Sequence, residues 1–185
     1  MDDETAPLSP HNRPVAPTHP EKHALIYVVR HADAGVRGHG PDDHLRPLSP
    51  GGHARAEVLA DLLELTSASL IVSSPYVRCV QTVEPLAVRQ HCSVELSDSL
   101  AEGASVDAVL HLLRRLPDRS AACMHGDMLG ELARVVDSVD GLVGPISFDK
   151  GGVWVLMRNG DALSLVEQMQ VTSGCVGDHH VMIAR

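Results

Sequence analysis

Aromatic side chains are almost missing from this chain: its 185 residues include one tryptophan, two tyrosines and one phenylalanine. The core must therefore be built from leucine, valine, alanine and isoleucine. Lysine is equally scarce, Lys22 and Lys150 against 13 arginines, so a lone arginine at an exposed position says little about function. No apolar stretch approaches the ~18 residues that would suggest a membrane span. The N-terminus, Met1-Asp2-Asp3-Glu4, is acidic and no continuous apolar segment follows it, so no ordinary signal peptide is expected. Four cysteines, Cys79, Cys92, Cys123 and Cys175, form neither a C-x-x-C pair nor a regular framework. They are expected to be free thiols in a reducing, cytoplasmic location. The formal net charge of -9 disfavours nonspecific attraction to nucleic acid or anionic lipid, and neither is expected as a partner. Any basic site in so acidic a protein must be local.

The length suits one domain with a substantial core and hardly two. Residues 1–22 are rich in Pro, His, Asp and Thr without hydrophobic periodicity, and are expected to form a disordered tail. Its histidines, with His23, lack the i, i+4 spacing that would organise a metal site. The domain is placed at 23–170, and residues 171–185 are a C-terminal extension to which no function is assigned. Within the domain, strand and helix signals alternate. Strands are expected at 24–29, 69–73, near Val94 and at 120–124. Helices are expected at Gly52–Leu65, at Tyr76–Gln90 with Pro85 a kink or break, at Val106–Leu116 and at Met128–Val136. The pattern predicts an α/β fold, a mostly parallel central sheet with helices on both faces. Two apolar runs flanking Asn159-Gly160 predict a C-terminal antiparallel hairpin with a type I′ turn.

The chemistry sits at the strand exits. Arg30-His31-Ala32 follows the apolar run 24–29, His125 follows Ala121-Ala122-Cys123-Met124, and Arg78 lies in Ser73-Ser74-Pro75-Tyr76-Val77-Arg78 after Leu70-Ile71-Val72. Ligands of open α/β sheets bind outside the carboxyl ends of the strands, so these turns can converge on one crevice. Two histidines and two arginines suit a phosphoryl group. A neutral imidazole can attack phosphorus and split one hard displacement into two easier ones, which makes His31 the candidate nucleophile. Arg30 and Arg78 would disfavour imidazolium there and clamp phosphoryl oxygens with their planar forks. His125 would donate to the transferring group, with backbone donors added by the helix after Asp127.

Arg30-His31-Ala32, Pro47-Leu48-Ser49-Pro50-Gly51-Gly52, Ser73-Ser74-Pro75 through Arg78 to Gln81-Thr82, Leu100-Ala101-Glu102-Gly103 and His125-Gly126-Asp127 together resemble the histidine phosphatase superfamily, the phosphoglycerate-mutase-like proteins. The resemblance spans roughly residues 24–170. It implies a phosphoglycerate-mutase-like fold, phosphoric monoester hydrolysis through phosphohistidine, and no metal or other cofactor. Glu102 matches the position where many members keep the general acid, ahead of Asp98 and Asp127. Ala34 and Arg37 replace the serine and asparagine of mutase-type members, and only about 22 residues separate Glu102 from His125, so hydrolysis at an open site is expected rather than mutase chemistry.

Two small branches compete. Length and the lack of a lid resemble the SixA-type phosphohistidine phosphatases. The segment from Arg30 to Arg37, with Pro41-Asp42-Asp43-His44-Leu45-Arg46-Pro47-Leu48, is similar to the phosphatase domain fused to Nudix hydrolases. In that case Arg37 and Arg46 would add charge for a second phosphate. The expected partner is accordingly a phosphorylated small molecule, a nucleotide or a phosphohistidine protein. A noncatalytic phosphate-binding module would need only the clamp, and the joint presence of His31, His125 and an acid argues against it. A metal hydrolase built on His39, His44, Asp42 and Asp43 would require the glycine-rich loop to be ordered.

Overall fold

The computed structural model describes residues 23–37, 42–64, 66–138 and 145–170. The expected tail (1–22) and the extension (171–185), with His39 and Cys175, lie outside the described residues. Among the described residues seven strands form one sheet: β1 His23–Arg30, β2 Ile71–Ser73, β3 Val94–Leu96, β4 Ser120–Met124, β5 Asp137–Ser138, β6 Val153–Asn159 and β7 Ala162–Met169, in the order β3-β2-β4-β1-β6-β7-β5. Four α-helices of the described residues accompany them: α1 Pro50–Glu64, α2 Val77–Arg89, α3 Val106–Leu113 and α4 Gly126–Leu132. The strands β1, β4, β2 and β3 run parallel, as expected, and β6 and β7 add an antiparallel hairpin beside β1.

Strand alternation divides the core into two layers. Ile26, Val28, Ala122 and Met124 face the layer completed by Val109, Leu113, Met128 and Leu132 of α3 and α4. Tyr27, Val29, Ala121 and Cys123 face the opposite layer, completed by Leu59, Leu63, Val83 and Leu86 of α1 and α2. Small residues in β4 let both layers approach closely. The scarcity of aromatics is thus met by aliphatic packing on both faces of the sheet.

Some boundaries differ from expectation. The helix expected at Met128–Val136 begins two residues earlier, at Gly126, and ends at Leu132. α2 runs through Pro85 without ending. Its ring removes one amide donor and leaves the helix continuous, because the buried Val83, Leu86 and Ala87 anchor it on both sides. The hairpin turn is shifted by one residue. Asn159 pairs with Ala162, so the connecting residues are Gly160 and Asp161. Gly160 has φ +59 while Asp161 keeps a negative φ, which is the pattern of a type II′ turn rather than the I′ turn expected.

The registers align the strand ends that carry the candidate residues. Arg30 pairs with Met124 and Ser73 with Cys123. Beyond those pairs the ladder continues, with the His31 amide donating to the Met124 carbonyl at 3.0 Å and the Ser74 amide to the Cys123 carbonyl at 2.9 Å. α1 packs tightly against the turn after β1: a Cβ built on Gly52 would lie 2.0 Å from the Asp33 carbonyl oxygen. Backbone stands on both sides of that contact, so neither can yield. Gly52→Ala should therefore destabilise the domain by about 1–3 kcal/mol, even though alanine is the better helix former. Gly51→Ala, whose nearest neighbour would be the Ser49 Oγ at 3.8 Å, should not. Thermal melting of the two variants checks this, and a rise in melting temperature for Gly52→Ala would contradict it.

Candidate active site

The exit of β1 fixes the chemistry of His31. Its Nδ1 lies 2.7 Å from the carbonyl oxygen of Ala32. A carbonyl only accepts, so Nδ1 carries the proton and Nε2 holds the lone pair. The Arg78 Nε, which only donates, lies 3.3 Å from that Nε2 and agrees with this tautomer. The ring is buried, 7% exposed. Burial pushes its pKa down to about 4, and His125, Arg78 and Arg30 push in the same direction, against the Ala32 hydrogen bond. The next turn is held by Thr82 of α2, whose Oγ1 accepts from the Ala32 amide at 3.0 Å.

Arg78, on the first turn of α2, is the most enclosed charge at the site, 1% exposed. Its Nη1 donates to the Asp43 carbonyl at 2.8 Å and lies 3.2 Å from the Asp43 Oδ2. Its Nη2 donates to Glu102 Oε2 at 2.7 Å and lies 3.2 Å from His125 Nδ1. Tyr76, just ahead of the helix, sets its ring 4.7 Å from the guanidinium carbon and 4.7 Å from the His125 ring centre. Because the guanidinium can only donate, His125 Nδ1 accepts, and His125 Nε2–H is left to donate to the Ser74 Oγ at 2.9 Å. The His31 and His125 rings stand edge to face with centres 5.4 Å apart.

Arg30 closes the other side. Its Nη1 donates to the Phe148 carbonyl, while its Nε is buried with no hydrogen-bond partner among the described residues. Gly126 makes room for it: a Cβ there would fall 2.7 Å from the Arg30 Cζ and Nε. A cavity of about 230 Å³ results, lined among others by Arg30, His31, Arg37, Arg78, Glu102 and His125. All six sequence-derived site residues therefore come together.

Their neighbours modify the expectation for two arginines. Arg46 donates from Nε to Asp43 Oδ1 and from Nη1 to the Ala34 carbonyl, both at 2.8 Å, so it ties the loop between β1 and α1 rather than standing ready for a phosphate. Arg46 and then the Arg78 and Arg37 guanidiniums hold the Asp43 carboxyl below the usual carboxylate range, against partial desolvation. Arg37 pairs with Glu102 Oε1 at 2.8 Å and is 64% exposed along its side chain. Asp127 reaches the site but accepts from the Gly103 amide at 3.2 Å, and Asp98 belongs to the 3₁₀ turn Asp98–Leu100.

Sequence reasoning missed Ser74, Tyr76 and Lys150, and named Asp43 only as a candidate metal ligand, whereas it is a partner of Arg78. Ser74 and Tyr76 stand inside a quoted motif, but nothing in the motif distinguishes a side chain that orients a histidine from one that shapes a turn. Lys150 lines the cavity and pairs with Asp33 Oδ1 at 2.6 Å. It arrives from 120 residues downstream, and its only signal in the sequence is its rarity.

The fold and the site define an α/β domain with a pocket, rich in cations and holding two histidines, at the carboxyl ends of its parallel strands. The histidine phosphatase superfamily (branch 1) model matches residues 26–109, the stretch that holds Arg30, His31, Arg78 and Glu102. A 63-residue stretch, 34% of this chain, is 44% identical to the 8-oxo-(d)GTP phosphatase of Mycolicibacterium smegmatis, of whose length it spans 20%. The fold is shared with the SixA structure from Agrobacterium tumefaciens, at 22% identity over 80% of this chain and 99% of that one, TM-score 0.64. A protein histidine phosphatase SixA complexed with tungstate matches at 21% identity over 79% and 96%, TM-score 0.65. A mycobacterial glucosyl-3-phosphoglycerate phosphatase matches at 17% over 73% and 90%, TM-score 0.55. Residues 26–109 are thus similar to the histidine phosphatase superfamily, and the fold is that of the SixA structures.

With its pKa near 4, His31 stays neutral across the range in which an ordinary histidine protonates. Its ring nitrogen signals should show no titration between pH 7 and 5, and the Nε2 lone pair should be lost only as the pH falls through about 4. Nitrogen-15 NMR of the imidazoles checks this, and a His31 midpoint near the ordinary value would contradict it.

Proposed function

We propose that this chain is a phosphatase that hydrolyses a phosphate ester or phosphoramidate through a phosphohistidine at His31. The observation that carries the reading is the Nδ1–H bond of His31 to the Ala32 carbonyl, which leaves the Nε2 lone pair beside the Arg78 guanidinium. Nε2 attacks phosphorus, the bond to the leaving oxygen or nitrogen breaks, and the phosphohistidine is then hydrolysed by water. Arg30 and Arg78 bind the equatorial oxygens and stabilise their charge, which is work a metal would otherwise do. The buried, unpartnered Nε of Arg30 suits that role.

His125 would donate from Nδ1 to the phosphoryl group once that group replaces Arg78 as its neighbour. Ser74 makes this affordable, because a hydroxyl can accept from Nε2–H in one tautomer and donate to Nε2 in the other. Glu102 is the proposed proton donor to the leaving group. Its two oxygens accept from Arg37 and Arg78, and a phosphoryl oxygen would take over the Arg78 guanidinium as the carboxyl turns to the leaving atom. α3 and β4 occupy most of the stretch between Glu102 and His125, so that stretch holds no long insertion. The lack of an insertion there, with a SixA-like fold, supports a phosphohistidine protein among the candidate substrates. Nucleotide phosphates form a second reading, favoured by the 44% identical stretch shared with the 8-oxo-(d)GTP phosphatase.

Denaturing the enzyme in alkali during turnover of labelled substrate, with a chelator present, should preserve protein-bound label that acid then removes. His31→Ala should abolish label and turnover, and Arg78→Lys, which keeps charge but loses the fork, should lower kcat/KM by about tenfold or more. Full turnover by His31→Ala would end the nucleophile assignment. Glu102→Gln should slow an alkyl phosphate far more than p-nitrophenyl phosphate, whose phenolate leaves with little protonation. Equal losses on both substrates would move Glu102 to a positioning role.

A further inference from the structure

Five cations line the cavity among the described residues: Arg30, Arg37, Arg46, Arg78 and Lys150. A single phosphoryl group is already met by Arg30, Arg78 and His125, and Arg46 is spent on the loop. Arg37 and Lys150 are left over. Both are substantially exposed, 64% and 41% along their side chains; Arg37 pairs with Glu102 at 2.8 Å and more distantly with Asp43 at 3.8 Å, and Lys150 pairs with Asp33 at 2.6 Å. Exposed pairs of this kind are weak and exchange readily for a stronger anion. Asp33 can release its partner without being stranded, because the Ser49 Oγ donates to it at 2.7 Å and the Gly35 amide at 3.1 Å.

Backbone hydrogen bonds tie the segment that carries Lys150 to the end of β1. The amide of Gly151 donates to the Arg30 carbonyl at 3.1 Å, and the Arg30 amide donates to Gly152 at 3.0 Å. Gly151 has φ +75, and a Cβ there would meet the Arg55 Cδ at 2.3 Å, so the bend that delivers Lys150 needs glycine. On the opposite side one carboxylate, Glu102, bridges Arg37 and Arg78. Those guanidiniums are thus no farther apart than a carboxylate and two hydrogen bonds, a span that the oxygens of two adjoining phosphoryl groups also cover.

We propose that Lys150 and Arg37 form a second anion subsite beside the His31 pocket, and that the substrate is a phosphoanhydride whose penultimate phosphate they hold. The inference rests on the phosphatase reading above and narrows its substrate class. The terminal phosphorus accepts the Nε2 lone pair of His31, and the bond to the bridging oxygen breaks with its electron pair on the departing phosphate. Water then attacks the phosphohistidine, the N–P bond returns its pair to Nε2, and the protons of the water end on the two phosphate products. One phosphoanhydride and one water give a shortened phosphate and orthophosphate.

The test compares kcat/KM for a nucleoside diphosphate with that for its monophosphate, and inhibition by methylenediphosphonate with inhibition by methylphosphonate. The native enzyme should prefer the diphosphate by about tenfold or more, and Lys150→Met should lower that preference by about tenfold. Lys150→Arg, which keeps the charge, should retain most of it. The inhibition constant of methylenediphosphonate should rise in Lys150→Met by a similar factor, far beyond any change for methylphosphonate. A preference for the monophosphate, or a ratio that Lys150→Met leaves untouched while acid-labile phosphoenzyme still forms, overturns the subsite alone. Failure of every substrate to form phosphoenzyme overturns the phosphatase reading and the subsite with it.

Discussion

A guanidinium shut away from solvent must find an acceptor for nearly every N–H, because an uncompensated buried charge is among the most expensive features a fold can contain. Arg78 meets that demand with a carboxylate and a carbonyl from Asp43, a carboxylate from Glu102 and a ring nitrogen from each histidine. Its partners come from four separate parts of the chain, so satisfying one side chain fixes the relative positions of β1, α2, β4 and two loops. The same bonds set the tautomers of both histidines. Its charge is balanced by Asp43 and Glu102.

The sheet makes such convergence possible. Because β1, β2 and β4 are parallel and in register at their carboxyl ends, His31, Ser74 and His125 leave the ladder at one level. Glycines then adjust the fit: Gly52 lets α1 meet the Asp33 backbone, and Gly126 leaves room for the Arg30 guanidinium. Asp33 gathers the Ser49 hydroxyl, the Gly35 amide and the Lys150 ammonium. These contacts, Lys150 foremost, hold the carboxyl well below the usual carboxylate range. The carboxylate thus joins the loop after β1, the start of α1 and the segment before β6.

Much of this was readable in the chain because it depends on local pattern. Apolar runs of strand length bounded by turn residues located β1 and β4, alternation with amphipathic stretches implied the parallel sheet, and Arg-His after a strand marked the crevice. Boundaries were less readable. The start of α4 at Gly126 depends on His125 being extended by the site, and the hairpin turn depends on the pairing of Asn159 with Ala162, neither of which is encoded in the turn residues alone.

By itself the sequence determined the fold class, the identities of the two histidines and the flanking arginines, and the need for a local cationic site in an acidic chain. Those follow from periodicity, composition and the side chains available at strand exits. Only the tertiary structure decided how each charge is used. Arg78 was expected in the clamp and Arg46 as added charge for a second phosphate, yet only Arg78 is enclosed beside His31, while Arg46 is tied to carbonyls of its own loop. Lys150 became a site residue because the segment before β6 bonds to the Arg30 backbone. A charged side chain carries no mark of its partner in its own neighbourhood of sequence, since hydrogen bonds and ion pairs act through distances that only the folded chain sets.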